Sequence, residues 1–304
     1  MNYLTQQQEV RSRLRLDLAD GDQATLIKRW LNQSQQEIWN AYEWPWSLDR
    51  EIVQTVADKT AGTVSIDSGA TTVTGVSTAF ASGDVGKYIQ FSSSNDWYKI
   101  TASASATSLT IEAAYTATSN LSAGTYTIRK FFYSTSSSVD KVLTMRQAIG
   151  PDILEMIHYR DFDIFRPNPT STGNPNTAIV FGYDSSGNLQ FTPYPWPSVV
   201  MNLEVRFKKR VTELSGDTDT STIPIKWHST TMIDGALYRG YQYTSIGQNV
   251  QDNRAELQRR VFQGSIKDMI AECEPDVSYH PVLQTREVYN APVGPRLPNK
   301  FGFE

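Results

Sequence analysis

The chain has 304 residues, 39% of them hydrophobic, with a formal charge of −4 and a pI near 5.5. That balance excludes a basic protein that coats nucleic acid, and a single cysteine, Cys273, excludes an internal disulfide framework. No apolar run approaches the roughly 18 residues a spanning helix needs, and MNYLTQQQEVRSRLRLD has no apolar h-region, so a soluble product of the cytoplasm without a secretory signal is expected.

Thr5 and Gln8 fit a capping box, with Tyr3 or Leu4 as its staple, ahead of a helix carrying Val10, Leu14 and Leu18. Asp20-Gly21-Asp22 breaks it. A second helix follows from Ala24 to Tyr42, with Ile27, Leu31, Ser34, Ile38 and Tyr42 on one face and Gln33, Gln36 and Asn40 opposite. Pro45 closes it. Residues 46–57 read as an outgoing strand. From 62 to 130 polar and apolar residues alternate between turn signals at Ser68-Gly69 and Gly83-Asp84, which predicts five or six short strands in a small barrel or sandwich. The two ends of this block, near Ala57 and Phe131, can lie side by side, as inserted domains attach.

Beyond Ser134 the pattern is mixed. Lys141–Ala148 reads as a strand, and Pro151 opens a predicted helix over DILEMIHYRDFDIF. A Pro/Asn/Gly loop spans 166–177, a hairpin turns at Ser186-Gly187-Asn188, and Val199–Val211 alternates as a strand. A helix over Trp227–Ile246 places Ile233, Ala236, Leu237, Gly240, Tyr241 and Thr244 on one face. Its small residues Gly235, Ala236 and Gly240 admit another helix at close range, against a helix-propensity cost of about 1 kcal/mol per glycine. A last helix, Asn249–Cys273, turns Leu257, Val261, Phe262, Ile266, Met269, Ile270 and Cys273 inward. From Pro275 the chain reads as an extended arm. The expected fold is α+β: a helical core with accompanying antiparallel strands (1–57 and 132–274), an inserted small all-β barrel or sandwich domain (58–131) and an extended C-terminal arm (275–304).

Chemistry-bearing motifs are sparse. His158, His228 and His280 stand apart from one another, and although His158 and Asp161 can share a helix face, none sits in a recognised metal-ligand pattern. Cys273 sits on an apolar helix face as a small hydrophobe. No G-x-S-x-G, P-loop or G-x-G-x-x-G is present. Asp184–Asn188 lacks the carboxylate density of a calcium loop and reads as a turn. Arg206, Lys208, Lys209 and Arg210 form the densest basic cluster, a solvated strand face or a patch for phosphate or a subunit. Arg254, Arg259 and Arg260 mark the outer face of the last helix. No catalytic residue, metal or cofactor is assigned.

Three stretches together resemble the head–tail adaptor (connector) proteins of tailed bacteriophages. They are LIKRWLNQSQQEIWNAYEWPWSL, with its W-P-W turn; LQFTPYPWPSVVMNLEVRFKKRVTELSGDTDTSTIPIKWHSTTMIDGALYRGYQY; and the β-rich block GTVSIDSGATTVTGVSTAFASGDVGKYIQF with WYKITASASATSLTIEAAYT. The resemblance covers most of residues 20–275. It implies a non-enzymatic virion protein at the head–tail junction, made in the host cytoplasm. Such a protein forms a ring of twelve copies between the portal protein and the tail or nozzle proteins, with tail fibres as a further partner. DNA passes through its channel without sequence-specific binding, and no membrane is involved. On that basis Trp30, Trp39, Gly235, Gly240, Arg254, Arg259 and Arg260 are candidate subunit-interface residues. Tyr279, Pro281, Tyr289, Arg296, Phe301 and Phe303 are candidates for an arm contacting the portal or a neighbour; loss of 276–304 should leave a folded protomer that no longer attaches. The alternative is a tail-associated carbohydrate-binding or adhesion protein with Trp97, Tyr98 and Tyr115 as its sugar platform.

Overall fold

The structure, a computed structural model, describes residues 1–16, 21–148, 153–165, 171–245 and 253–273. Helix α1 (Tyr3–Leu14) is capped by Asn2, three residues before the expected cap Thr5, because the Asn2 side chain accepts the Thr5 N–H at 2.9 Å. Helix α2 (Gly21–Ala41) buries Ile27, Trp30, Leu31, Ser34 and Ile38 along one stripe. Strand β1 (Leu48–Gln54) then leaves the helices through the Trp44-Pro45-Trp46 turn.

A complete sheet follows before the chain returns: β2 (Thr63–Ile66), β3 (Thr72–Val76), β4 (Tyr88–Phe91), β5 (Trp97–Ser105), β6 (Ser108–Ile111), β7 (Leu121–Gly124) and β8 (Tyr126–Arg129). Its order is β7-β2-β3-β6-β5-β4-β8 and every pairing is antiparallel. The two edge strands, β7 and β8, are separated by Thr125 alone, so the sheet curls until its edges meet in the chain. Its core is drawn entirely from residues between Val64 and Ile128. At its base Lys59 and Ile128 exchange backbone hydrogen bonds of 3.0 and 2.9 Å, and Asp58 takes a bidentate pair from Arg129.

The first sheet resumes with β9 (Tyr133–Ser134), β10 (Val139–Gln147) and β11 (Ile153–Ile157), then helix α3 (Tyr159–Phe165), β12 (Thr177–Tyr183), β13 (Leu189–Tyr194) and β14 (Asn202–Lys209). Its order is β1-β14-β10-β11-β12-β13-β9, antiparallel except for β11 beside β12. Helices α4 (Ile233–Ser245) and α5 (Asn253–Cys273) complete the helical layer, whose core joins α1, α2, α4 and α5. A 3₁₀ turn (Ile225–Trp227) and a π-helical turn (His228–Met232) lead into α4. There the buried His228 ring bridges the carbonyls of Ile223 (2.7 Å) and Met1 (3.1 Å).

These findings correct the expected fold class. The molecule is not a helical core with accompanying strands and a small inserted β domain. Fourteen strands in two seven-stranded, half-barrel-like sheets dominate the described residues, beside five helices. Residues 153–157, expected in a helix, form β11, because β10 and β12 offer backbone partners on both sides. The helical layer is held to the first sheet by side chains reaching main chain. Lys208 Nζ donates to the Trp39 and Tyr42 carbonyls (2.7 and 3.2 Å) at the C-terminal end of α2, and Trp39 Nε1–H donates to the Lys209 carbonyl at 3.0 Å.

Candidate functional site

Lys208 is buried, not on a solvated strand face. Burial pushes its pKa down, and the carboxylates of Asp140 and Glu43 partly offset that. Its neighbour two residues earlier behaves differently. Strand alternation puts Glu204 and Arg206 on the face away from the core residues Leu203, Val205 and Phe207. On β1 the residues opposite are Leu48 (to Lys208), Arg50 (to Arg206) and Ile52 (to Glu204), and on β10 Arg146 stands opposite Glu204. Glu204 receives Arg146 at 2.7 Å and Arg206 at 3.0 Å. These hydrogen bonds hold its carboxyl below the usual range. Two arginines thus share one carboxylate, and Arg50 directly opposes Arg206 with no ion partner among the described residues. Like charges opposed across strands repel. Ile52 (63% exposed) and Leu48 flank them.

Among the described residues strand β1 pairs only with β14, which leaves its other edge open. An open edge is a template for pairing. Asp49 partly blunts it by accepting the Arg50 N–H at 2.9 Å.

A second surface lies on α5, which packs on α4 and the π-helical turn and is the outer helix of its layer. Phe262, Ile266 and Met269 face inward. Leu257 and Val261, expected to do the same, are 64% and 45% exposed. At about 100° per residue, Val261 lies roughly 100° and Leu257 roughly 140° round the helix from Phe262, beyond the arc α4 covers. Arg259 and Arg260, both paired with Glu256, share this outer surface. Arg254 stacks over the Tyr241 ring at 5.8 Å.

The other proposed interface residues are packed within the chain. Trp30 and Trp39 are buried. A Cβ on Gly235 would meet Ser34 and Phe262 at 2.7 and 2.8 Å, and one on Gly240 would meet Leu14 at 2.2 Å. The small-residue face of α4 therefore seats α1, α2 and α5 of the same molecule. Tyr279, Pro281, Tyr289, Arg296, Phe301 and Phe303 lie outside the described residues. The sugar platform does not form: Tyr98 and Tyr115 are in the core of the second sheet, and Trp97 packs edge-on to Phe131 (4.9 Å) under the Arg129 guanidinium (5.1 Å).

Among the described residues no group of three or more His, Cys, Asp or Glu side chains stands close enough to hold a metal, and no helix is long and apolar enough to cross a membrane. A groove of about 790 Å³ runs between the polar face of α2 and residues 210–215. Its lining includes Lys28, Asn32, Gln36, Arg210, Glu213 and Ser215, and Asn32 is tied to the Leu214 main chain, donating to its carbonyl and accepting its N–H, both at 2.9 Å. No protein-family model matches the chain, and no curated protein matches it.

Proposed function

We propose that this chain is a non-catalytic structural subunit that assembles with copies of itself into a ring, and that the ring is a head–tail adaptor of a tailed bacteriophage. The ring joins the portal protein to the tail or nozzle and leaves a channel through which DNA passes unread. One observation carries the reading: Leu257 and Val261 stand exposed one turn apart on the outermost helix, while a chemically different surface, Ile52 and Arg50 on an open strand edge, is also left without a partner among the described residues. Exposed apolar side chains grouped on an element mark association sites. Two unlike surfaces suit a head-to-tail contact, which closes into a ring when its rotation allows. The interface expected of such a ring is obligate-sized, above ~2,000 Å². The place of the ring in a virion rests on the adaptor-like stretches of the sequence.

Light scattering and negative-stain imaging of the purified chain test this. Rings are the expected result. The double substitution Leu257→Glu/Val261→Glu should give a protomer with unchanged far-ultraviolet circular dichroism. A native chain that remains a monomer at every concentration, or that turns over a defined compound, overturns the reading.

A further inference from the structure

We infer that the cleft between the two sheets is a binding site for an acidic carbohydrate. The cleft, about 650 Å³, has Lys87, Tyr88 and Lys99 of the second sheet on one side. Phe132, Phe181 and Tyr183 stand on the other. Its volume falls in the usual range for small-ligand sites.

Two features point to that ligand class. The first is a run of rings. Tyr88 meets Phe132 at 5.9 Å and Phe132 meets Phe181 at 5.2 Å. Phe181 and Tyr183 are 41% and 62% exposed, an unusual state for a pair so close to a core. An adjoining hollow of about 330 Å³ continues the aromatic wall through Phe162 and Trp196. The second is surplus positive charge. Lys59 and Lys87 share one carboxylate, Asp84. Lys130 has no acidic partner among the described residues, and its ammonium lies only against the Tyr133 ring at 4.9 Å. Burial, then the charge of Lys87, lowers its pKa, so a bound anion would relieve its position. Lys99 reaches the exposed Glu112 at 3.4 Å, and Asp184, the one acid in the lining, is already bound by the turn amides of Ser186 and Asn188 at 2.9 Å.

A pyranose presents a C–H face that packs on aromatic rings, and a carboxylate or sulfate that pairs with Lys130 and Lys87. Its hydroxyls would find Ser134, Ser185 and Gln190 in the lining. Nucleobases fit less well. Neighbouring rings here are inclined by 68° and 60°, so they offer no parallel platform, and the chain is acidic overall. The inference stands independently of the ring reading.

Titration calorimetry of the full chain tests it, with tetragalacturonate, tetrasialic acid and a heparin tetrasaccharide against neutral maltotetraose. At least one acidic probe should bind about tenfold more tightly than maltotetraose. Lys130→Ala and Phe181→Ala should each weaken it about tenfold and Lys130→Arg should retain it, all three variants melting near the native temperature. Absence of binding by all three acidic probes overturns the proposal. So does affinity unchanged in both alanine variants, or tighter binding of octathymidylate or oligoglutamate.

Discussion

Asp84 is 2% exposed and faces two lysines, Lys59 at 2.5 Å and Lys87 at 2.8 Å. Burial alone would raise its pKa. Hydrogen bonds from both lysines and from the Ala81 N–H, with the charge of Lys87, outweigh burial and hold the carboxyl below the usual carboxylate range. A depressed carboxylate contributes stability that is present above its unfolded value and is lost as pH falls through its folded value. Urea midpoints should therefore decline as pH falls from the ordinary aspartate range toward the lowered folded value. Asp84→Asn should cost about 3 kcal/mol at pH 7, because a lysine pair loses its buried partner, and should flatten that acid limb. An unchanged limb in the variant would assign it to other groups. A second pair of residues separates packing from propensity. Replacing either helical glycine of α4 by alanine gains about 1 kcal/mol of helix propensity. At Gly240 the obstacle is the methyl tip of Leu14, which can swing aside, so Gly240→Ala should be near neutral. At Gly235 the obstacle is the buried Phe262 ring, so Gly235→Ala should lose about 2 kcal/mol net. Thermal melts of the two variants decide the contrast.

Elements whose order comes from their own periodicity are legible in the chain. The stripe Ile27, Leu31, Ser34, Ile38 is the buried stripe of α2, and Asp184–Asn188 is a hairpin turn with Gly187 at φ +77°. Elements that exist because of distant partners are not. Residues 153–157 carry apolar side chains compatible with helix or strand, and only β10 and β12 decide between them. Four-residue strands such as β2, β4 and β6 hide the full extent of the second sheet for the same reason. In the candidate site, Arg206 is visible as part of a basic run, but its opposition to Arg50 is a matter of register between distant segments. The apolar arc of α5 is wider than one neighbouring helix covers. That width was the available signal that Leu257 and Val261 face outward. The second sheet draws its core from its own residues and closes its base through Asp58–Arg129 and Lys59–Ile128. Residues 58–130 expressed alone should accordingly unfold in one cooperative transition. A non-cooperative melt, or a disordered circular dichroism spectrum, would show that the module needs the rest of the chain.

For the whole molecule, the two exposed surfaces differ in character, and that difference fixes what assembly can look like. A two-fold dimer uses one surface twice, so damage to that surface abolishes association and damage elsewhere leaves it intact. A head-to-tail ring uses both surfaces once per contact, so damage to either one stops growth. Ile52→Glu disables the β1 surface and Leu257→Glu/Val261→Glu the α5 surface; all three positions are 45% or more exposed, so the fold should tolerate the changes. Each variant alone should sediment as a protomer. An equimolar mixture retains one intact contact, the native β1 surface of one variant on the native α5 surface of the other. It should therefore form dimers that grow no further. Analytical ultracentrifugation of the two variants and their mixture reads this directly. A mixture that stays monomeric would show that the two surfaces do not face each other, and a single variant that still closes rings would remove its surface from the contact.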